Sequence, residues 1–179
     1  MIEKFGSYEN FHIVNDDFIT HDFKDEKYDL IYSAATIQWI PEDIAFSKTF
    51  ELLKPGGTLV MLLTIGDYEK PNKELYDDIQ KVYDQYFKPT IPYTHGDFKY
   101  ENAVNYGYVD FERQIYFGQR EMNAEEFVKF SGTHCDHLVI PEPYKTKFFD
   151  GLRDAVLAHG DKVVFEDIYV MFMTKKPLE

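Results

Sequence analysis

Residues 28–40, YDLIYSAATIQWI, and residues 52–65, LLKPGGTLVMLLTI, decide the fold of this chain. Tyr28–Ser33 and Thr58–Ile65 have the length and the branched, aliphatic content of β-strands. Leu30 and Ile31 are adjacent apolar residues, a pattern that predicts a central strand covered on both faces. Between the two strands, Pro41, Glu42 and Asp43 open a helix, with proline in the first turn and acids at the positive end of the helix dipole. Ile44, Phe46, Phe50, Leu52 and Leu53 supply its buried stripe, and Lys54-Pro55-Gly56-Gly57 ends it. Strand, helix, Gly-Gly turn and strand make one βαβ unit, so the implied sheet is parallel.

Working outward, Met1–Tyr8 reads as the last turns of a helix stopped at Gly6, and Phe11, Ile13 and Val14 read as a short strand ahead of Asn15-Asp16-Asp17-Phe18. Downstream, Leu75, Ile79, Val82, Tyr83 and Tyr86 recur at helical spacing over residues 73–87. Residues 88–108 carry Pro89, Pro92, Gly96, Gly107 and many tyrosines without periodicity, which predicts a long surface excursion of the kind used as a lid or binding loop. Tyr93, His95, Tyr100, Tyr106 and Tyr108 either line such a lid or pack beneath it. Phe111–Phe117 alternates as a strand, Asn123 caps a helix with Glu126 three residues on, and residues 142–159 form a longer helix closed by Gly160. Residues 162–174 are apolar enough to lie inside the sheet. The chain reads as a single domain over 1–179, with a lid insertion around 66–108.

With 19 basic and 32 acidic residues the formal charge is -13, which opposes long-range attraction to nucleic acid or anionic lipid. The single cysteine, Cys135, has no intramolecular disulfide partner, and no apolar run approaches the roughly 20 residues of a membrane span. No basic, then apolar, leader precedes the first element, so the expected location is the cytoplasm.

Four stretches in this order resemble class I S-adenosylmethionine-dependent methyltransferases, especially the small-molecule branch that includes trans-aconitate methyltransferase. They are Val14-Asn15-Asp16-Asp17-Phe18, like the turn after that family's third strand; Tyr28–Ser33, like its fourth strand; Ile37-Gln38-Trp39, like the step that follows; and Leu52–Leu59, like the turn into its fifth. Phe127–Thr133 looks like the helix end that this branch places near its substrate pocket, with Cys135 where serine is more usual. The resemblance implies a Rossmann-like sheet, mostly parallel with an antiparallel C-terminal strand and flanked by helices. It also implies S-adenosylmethionine as cofactor and a small-molecule methyl acceptor. By the same resemblance Asp17 accepts a hydrogen bond from the adenine amino group, and Phe18, Ser33, Ala34 and Ala35 complete the cofactor side, with Ala34 replacing a polar residue common in relatives. Trp39, Arg120, Thr133 and His134 are the substrate-side candidates, and no catalytic residue is nominated. Read from the residues alone, Asp16 and Asp17 are equally turn residues that bond their own backbone.

The family's glycine-rich loop and the acid that ends its second strand have no counterpart in this sequence, so the expected fold is a truncated one. Removing those strands from the family order 3-2-1-4-5-7-6 would leave residues 11–15 and 28–33 about 14 Å apart at ordinary strand spacing. Such a sheet must close by moving its first strand or by pairing with another chain, which predicts a homodimer. The alternative function is a non-catalytic remnant of the fold serving as an oligomeric interaction protein. His134, Cys135, Asp136 and His137 are too crowded for a standard zinc site, and no metal is expected.

Overall fold

The computed structural model describes residues 2–90 and 98–179. Within them a short helix, α1 (Ile2–Phe5), precedes the strand β1 (Tyr28–Ala34), the helix α2 (Glu42–Leu52) and the strand β2 (Leu53–Asp67). The helix α3 (Lys73–Tyr86), a 3-10 helix (Tyr100–Tyr106) and the strand β3 (Val109–Met122) follow. Three helices, α4 (Ala124–Ser131), α5 (Cys135–Leu138) and α6 (Tyr144–Ala158), lead to the last strand, β4 (Val163–Lys175).

The strands form one sheet in the order β1-β2-β4-β3. β1 and β2 are parallel, whereas β4 lies between β2 and β3 and runs antiparallel to both. Three strands therefore point one way and the C-terminal strand the other, which is the mixed sheet flanked by helices that the resemblance implies. The C-terminal strand does sit inside the sheet, because Val163, Phe165, Val170, Phe172 and Thr174 are all buried.

Alternation along the strands assigns the two faces. One face carries Leu59 and Met61 of β2 with Val170 and Phe172 of β4, and packs on Ala45 and Phe46 of α2, Ala103 of the 3-10 helix and Tyr108. The other carries Val163 and Phe165 and packs on Leu75 and Ile79 of α3, Phe127 of α4 and Phe148, Leu152 and Val156 of α6. α4 starts where the sequence places it: the Asn123 side chain accepts from the Glu126 amide, and the Glu126 carboxylate accepts from the Asn123 amide.

Three expectations are corrected. Residues 11–15 form no strand; Phe11, Ile13 and Val14 are exposed, with Val14 at 66%. The cause lies just downstream. Lys48 of α2 donates to the carbonyls of Ile19 and His21, at 3.0 and 2.8 Å, and draws this stretch onto the helix rather than alongside β1. β1 is consequently an edge, not a central strand: Leu30 is 56% and Tyr32 70% exposed, on the face that α3, α4 and α6 leave uncovered. The Gly-Gly turn also falls inside β2 rather than ahead of it: Gly56 adopts φ +77°, and the β1–β2 register shifts between the Tyr28–Leu53 and Leu30–Thr58 pairs. A Cβ at Gly57 would stand 3.1 Å from the Tyr28 carbonyl and 2.9 Å from that of Lys54, so glycine allows the two strands to meet there.

Tyr100, Tyr106 and Tyr108 pack against the α2 side of the core. Tyr93 and His95 lie outside the described residues.

Candidate functional site

At the carboxyl end of β1 the chain turns sharply. Ala35 adopts φ +49°, and its amide donates to the Leu62 carbonyl of β2 at 2.8 Å. The Ser33 hydroxyl accepts from the Ile37 amide at 2.9 Å, which holds the following 3-10 helix (Ile37–Trp39) over the strand end. Between these pieces lies a cavity of about 260 Å³ whose wall includes Phe18, Ile31, Ser33, Ala34, Ile37 and Leu59.

Phe18 reaches this cavity because of the way its loop folds. The Asp17 carboxylate accepts from the Ile19 amide at 2.8 Å through Oδ1, and the Asp17 carbonyl accepts from His21 at 2.8 Å. Asp16 bonds the Asp17 amide and His21 Nδ1, and the His21 bond is the main reason its pKa lies below the ordinary carboxylate value. The Lys48 ammonium stands 5.2 Å from the centres of both the Phe18 and Phe23 rings, so one side chain fixes backbone and ring together.

A larger cleft of about 580 Å³ opens between the far ends of β2, β4 and β3 and the helices α3 and α4. Its floor is Thr64 and Gly66 of β2, Asp167 and Tyr169 of β4 and Arg120 of β3; its walls are Tyr68, Tyr83, Phe127, Phe130, Phe165 and the ring of His134. Arg120 Nε donates to Asp167 Oδ2 at 2.6 Å, and the Tyr169 hydroxyl donates to the same oxygen at 3.2 Å. The guanidinium carbon lies 4.6 Å from the Phe130 ring centre and 4.4 Å from that of Phe165. The His134 ring packs on Phe130 with centres 4.9 Å apart, and its pKa is lowered chiefly by that burial and then by His137, which keeps it neutral near pH 7. Burial raises the Tyr68 hydroxyl to about 12.

His134, Asp136 and His137 bring ligand atoms within 4.8 Å of one another. Both nitrogens of His137 are already engaged, however. Nδ1 donates to the Ser131 carbonyl at 2.7 Å, which leaves Nε2 to accept from the Tyr83 hydroxyl at 2.9 Å. A metal held by His137 would have to break one of these two hydrogen bonds.

The structure thus brings Phe18, Ser33 and Ala34 around one cavity, with Asp17 and Ala35 as their chain neighbours. Arg120 and His134 meet in the other. Trp39 is half-exposed on the 3-10 helix after β1, and the Thr133 hydroxyl donates to the Phe130 carbonyl, so neither lines the cleft. Sequence reasoning missed Asp167, Tyr169 and Gly66. Alternation along β4 was the available signal, since Asp167 shares a face with Phe165 and Tyr169.

Residues 2–61 match the family model described as a methyltransferase domain. A methyltransferase candidate from Bacillus halodurans C-125 is 16% identical over 98% of this chain and 75% of its own, with a TM-score of 0.50. A type II methyltransferase candidate from Anaeromyxobacter dehalogenans is 10% identical over 86% of this chain and 66% of its own, with a TM-score of 0.51. Haemonchus contortus phosphoethanolamine N-methyltransferase 2 is 17% identical over 88% of this chain and 35% of its own, at a TM-score of 0.38. The chain spans three quarters of the first of these and less than two thirds of the others. What the first two share with it is the fold. No curated protein is similar enough in sequence to count as a match.

Proposed function

We propose that this chain acts as an S-adenosylmethionine-dependent methyltransferase on a small molecule. The observation that carries the reading is the position of the β1 cavity. It lies at the carboxyl end of the parallel β1–β2 pair, the end at which open α/β sheets take their ligands, and it collects Phe18, Ser33 and Ala34 from two separate stretches of chain. The larger cleft begins at Thr64, two residues beyond Leu62, the β2 partner of Ala34. At strand rise that is roughly 7 Å further along the same strand.

The residues present fit one end of the cofactor. A volume of 260 Å³ is below the roughly 300–1,000 Å³ of whole small-molecule sites, so the cavity suits the flat adenine rather than the entire molecule. Phe18 offers a ring face, and Asp17 keeps Oδ2 to accept from an amino group while Oδ1 holds the Ile19 amide. The cofactor, when bound, supplies a methyl group on a sulfonium centre. The chain's own task is positioning: Ser33 and Ala35 fix the strand end, Lys48 fixes the loop that carries Phe18, and Arg120 and His134 shape the cleft for the acceptor.

The same reading includes a homodimer through the open edge of β1. Paired antiparallel about Ile31, two such edges would satisfy each other's backbone groups and set Leu30 beside the partner's Tyr32, covering two side chains that are 56% and 70% exposed in one chain. Among the described residues no helix is long and apolar enough to cross a membrane.

Calorimetric titration with S-adenosylhomocysteine tests the reading. Saturable binding that weakens in Phe18→Ala supports it, and the absence of binding contradicts it.

A further inference from the structure

We propose that the larger cleft binds a neutral, flat, largely apolar small molecule carrying a hydroxyl group, and that Asp167 Oδ1 accepts that hydroxyl's hydrogen bond. The cleft is the acceptor side of the methyltransferase reading, and the ligand class assigned here rests on that reading only for its catalytic meaning.

The two oxygens of the Asp167 carboxylate differ in their partners. Asp167 is 1% exposed, and both donors that reach it, Arg120 Nε and the Tyr169 hydroxyl, go to Oδ2. Oδ1 is buried and, among the described residues, accepts from nothing. Tying β3 to β4 explains Oδ2 and leaves Oδ1 without a purpose. A buried acceptor without a partner is costly, so the oxygen implies a donor brought from outside the chain.

Space for that donor is kept by Gly66 on the neighbouring strand. A Cβ at this position would stand 3.1 Å from Oδ1 and 3.5 Å from Arg120 Nη2, in the approach to both atoms. Gly66 has no positive φ to require glycine, so the room left beside Oδ1 and Arg120 Nη2 is what its lack of a side chain serves.

The surroundings define the rest of the ligand. Arg120 and Asp167 cancel each other's charge, and a charged group brought in beside them would be desolvated without a counterion. A neutral hydroxyl escapes that cost. Its oxygen can also accept from the Nη atoms of Arg120, whose guanidinium carbon lies 4.6 and 4.4 Å from the centres of the Phe130 and Phe165 rings. Tyr68 and Phe127 extend the aromatic wall around a volume of about 580 Å³, within the range of small-molecule sites.

The test uses 2-naphthol as the probe, with 2-methoxynaphthalene as the match that lacks the donor. Both are titrated into the full chain by fluorescence or calorimetry. The expected result is that 2-naphthol binds at least tenfold more tightly than its methyl ether, and that Gly66→Ala removes most of this difference while its thermal melt stays cooperative. Asp167→Asn, should it fold, also narrows the gap. Equal binding of the two probes, no binding of either, or a gap untouched by Gly66→Ala overturns the proposal and leaves Asp167 as a strand tie. S-adenosylhomocysteine titrated alongside separates the claims: its failure with probe discrimination intact removes the methyltransferase reading alone, and the reverse pattern removes the hydroxyl site alone.

Discussion

The Tyr108 hydroxyl donates to Oγ1 of Thr49 at 2.8 Å, joining the start of β3 to the buried side of α2. Tyr108 is 3% and Thr49 3% exposed. Thr49 in turn donates to the Ala45 carbonyl at 2.6 Å, so the pair sits in a satisfied chain of hydrogen bonds inside the core. Packing, not lid duty, is what this tyrosine does.

Tyr108→Phe removes one hydrogen bond yet leaves Thr49 its bond to Ala45, so the cost should be about 0.5–1.5 kcal/mol. Tyr108→Ala opens a cavity among Phe46, Phe50 and Thr49 and should cost about 3–5 kcal/mol. Urea denaturation followed by circular dichroism gives both values, and equal losses would show that ring packing contributes nothing.

Stability should fall in strong alkali. Burial holds the Tyr68 hydroxyl up at about 12 and pushes those of Tyr83 and Tyr108 up as well. The unfolded chain ionises its tyrosines from about pH 10. Between that value and the raised native ones the unfolded state releases protons first, so stability declines as pH climbs. Tyr68→Phe should flatten this decline. At the acid end His134 acts through its lowered pKa: below about pH 6.5 the unfolded chain takes up a proton that the native ring resists, and stability drops as pH falls. His134→Gln should remove that slope.

The turn after β1 holds Ala35 at φ +49°, a conformation that costs an L residue about 1–2 kcal/mol. Ala35→Gly relieves the strain and adds some unfolded-state freedom, so a gain of up to about 1 kcal/mol is expected. Ala35→Val should lose more than about 1 kcal/mol, because branching at Cβ disfavours this region further. Thermal melts of the two variants should therefore move in opposite directions.

Multi-angle light scattering should report a dimer at micromolar concentration. Tyr32→Lys, which puts a charge on the exposed face of β1, should shift it to monomer without loss of the melt. A monomeric wild-type chain would contradict pairing at this edge.

Much of the fold was legible because its signals are local. Each element of the βαβ unit, the Asn123–Glu126 cap and the apolar C-terminal strand announces itself within about 15 residues. The stretch at Phe11, Ile13 and Val14 carries a strand pattern but no neighbour to pair with, and the Lys48 contact that ties down Ile19 and His21 just after it comes from 29 and 27 residues further along the chain. The same holds at the sites. Phe18 and Ser33 could be proposed from their local wording, whereas Asp167 reads as a surface acid until Arg120, 47 residues earlier, is seen beside it.

Titration of S-adenosylhomocysteine into the wild-type chain and into Phe18→Ala, with Lys129→Ala as a distant control, decides whether the β1 cavity is a cofactor site. One-to-one saturable binding is expected, weakened at least tenfold by Phe18→Ala and unchanged by Lys129→Ala. No saturable heat in the wild type, or equal affinity in wild type and Phe18→Ala, would show that this cavity does not hold the cofactor's adenine.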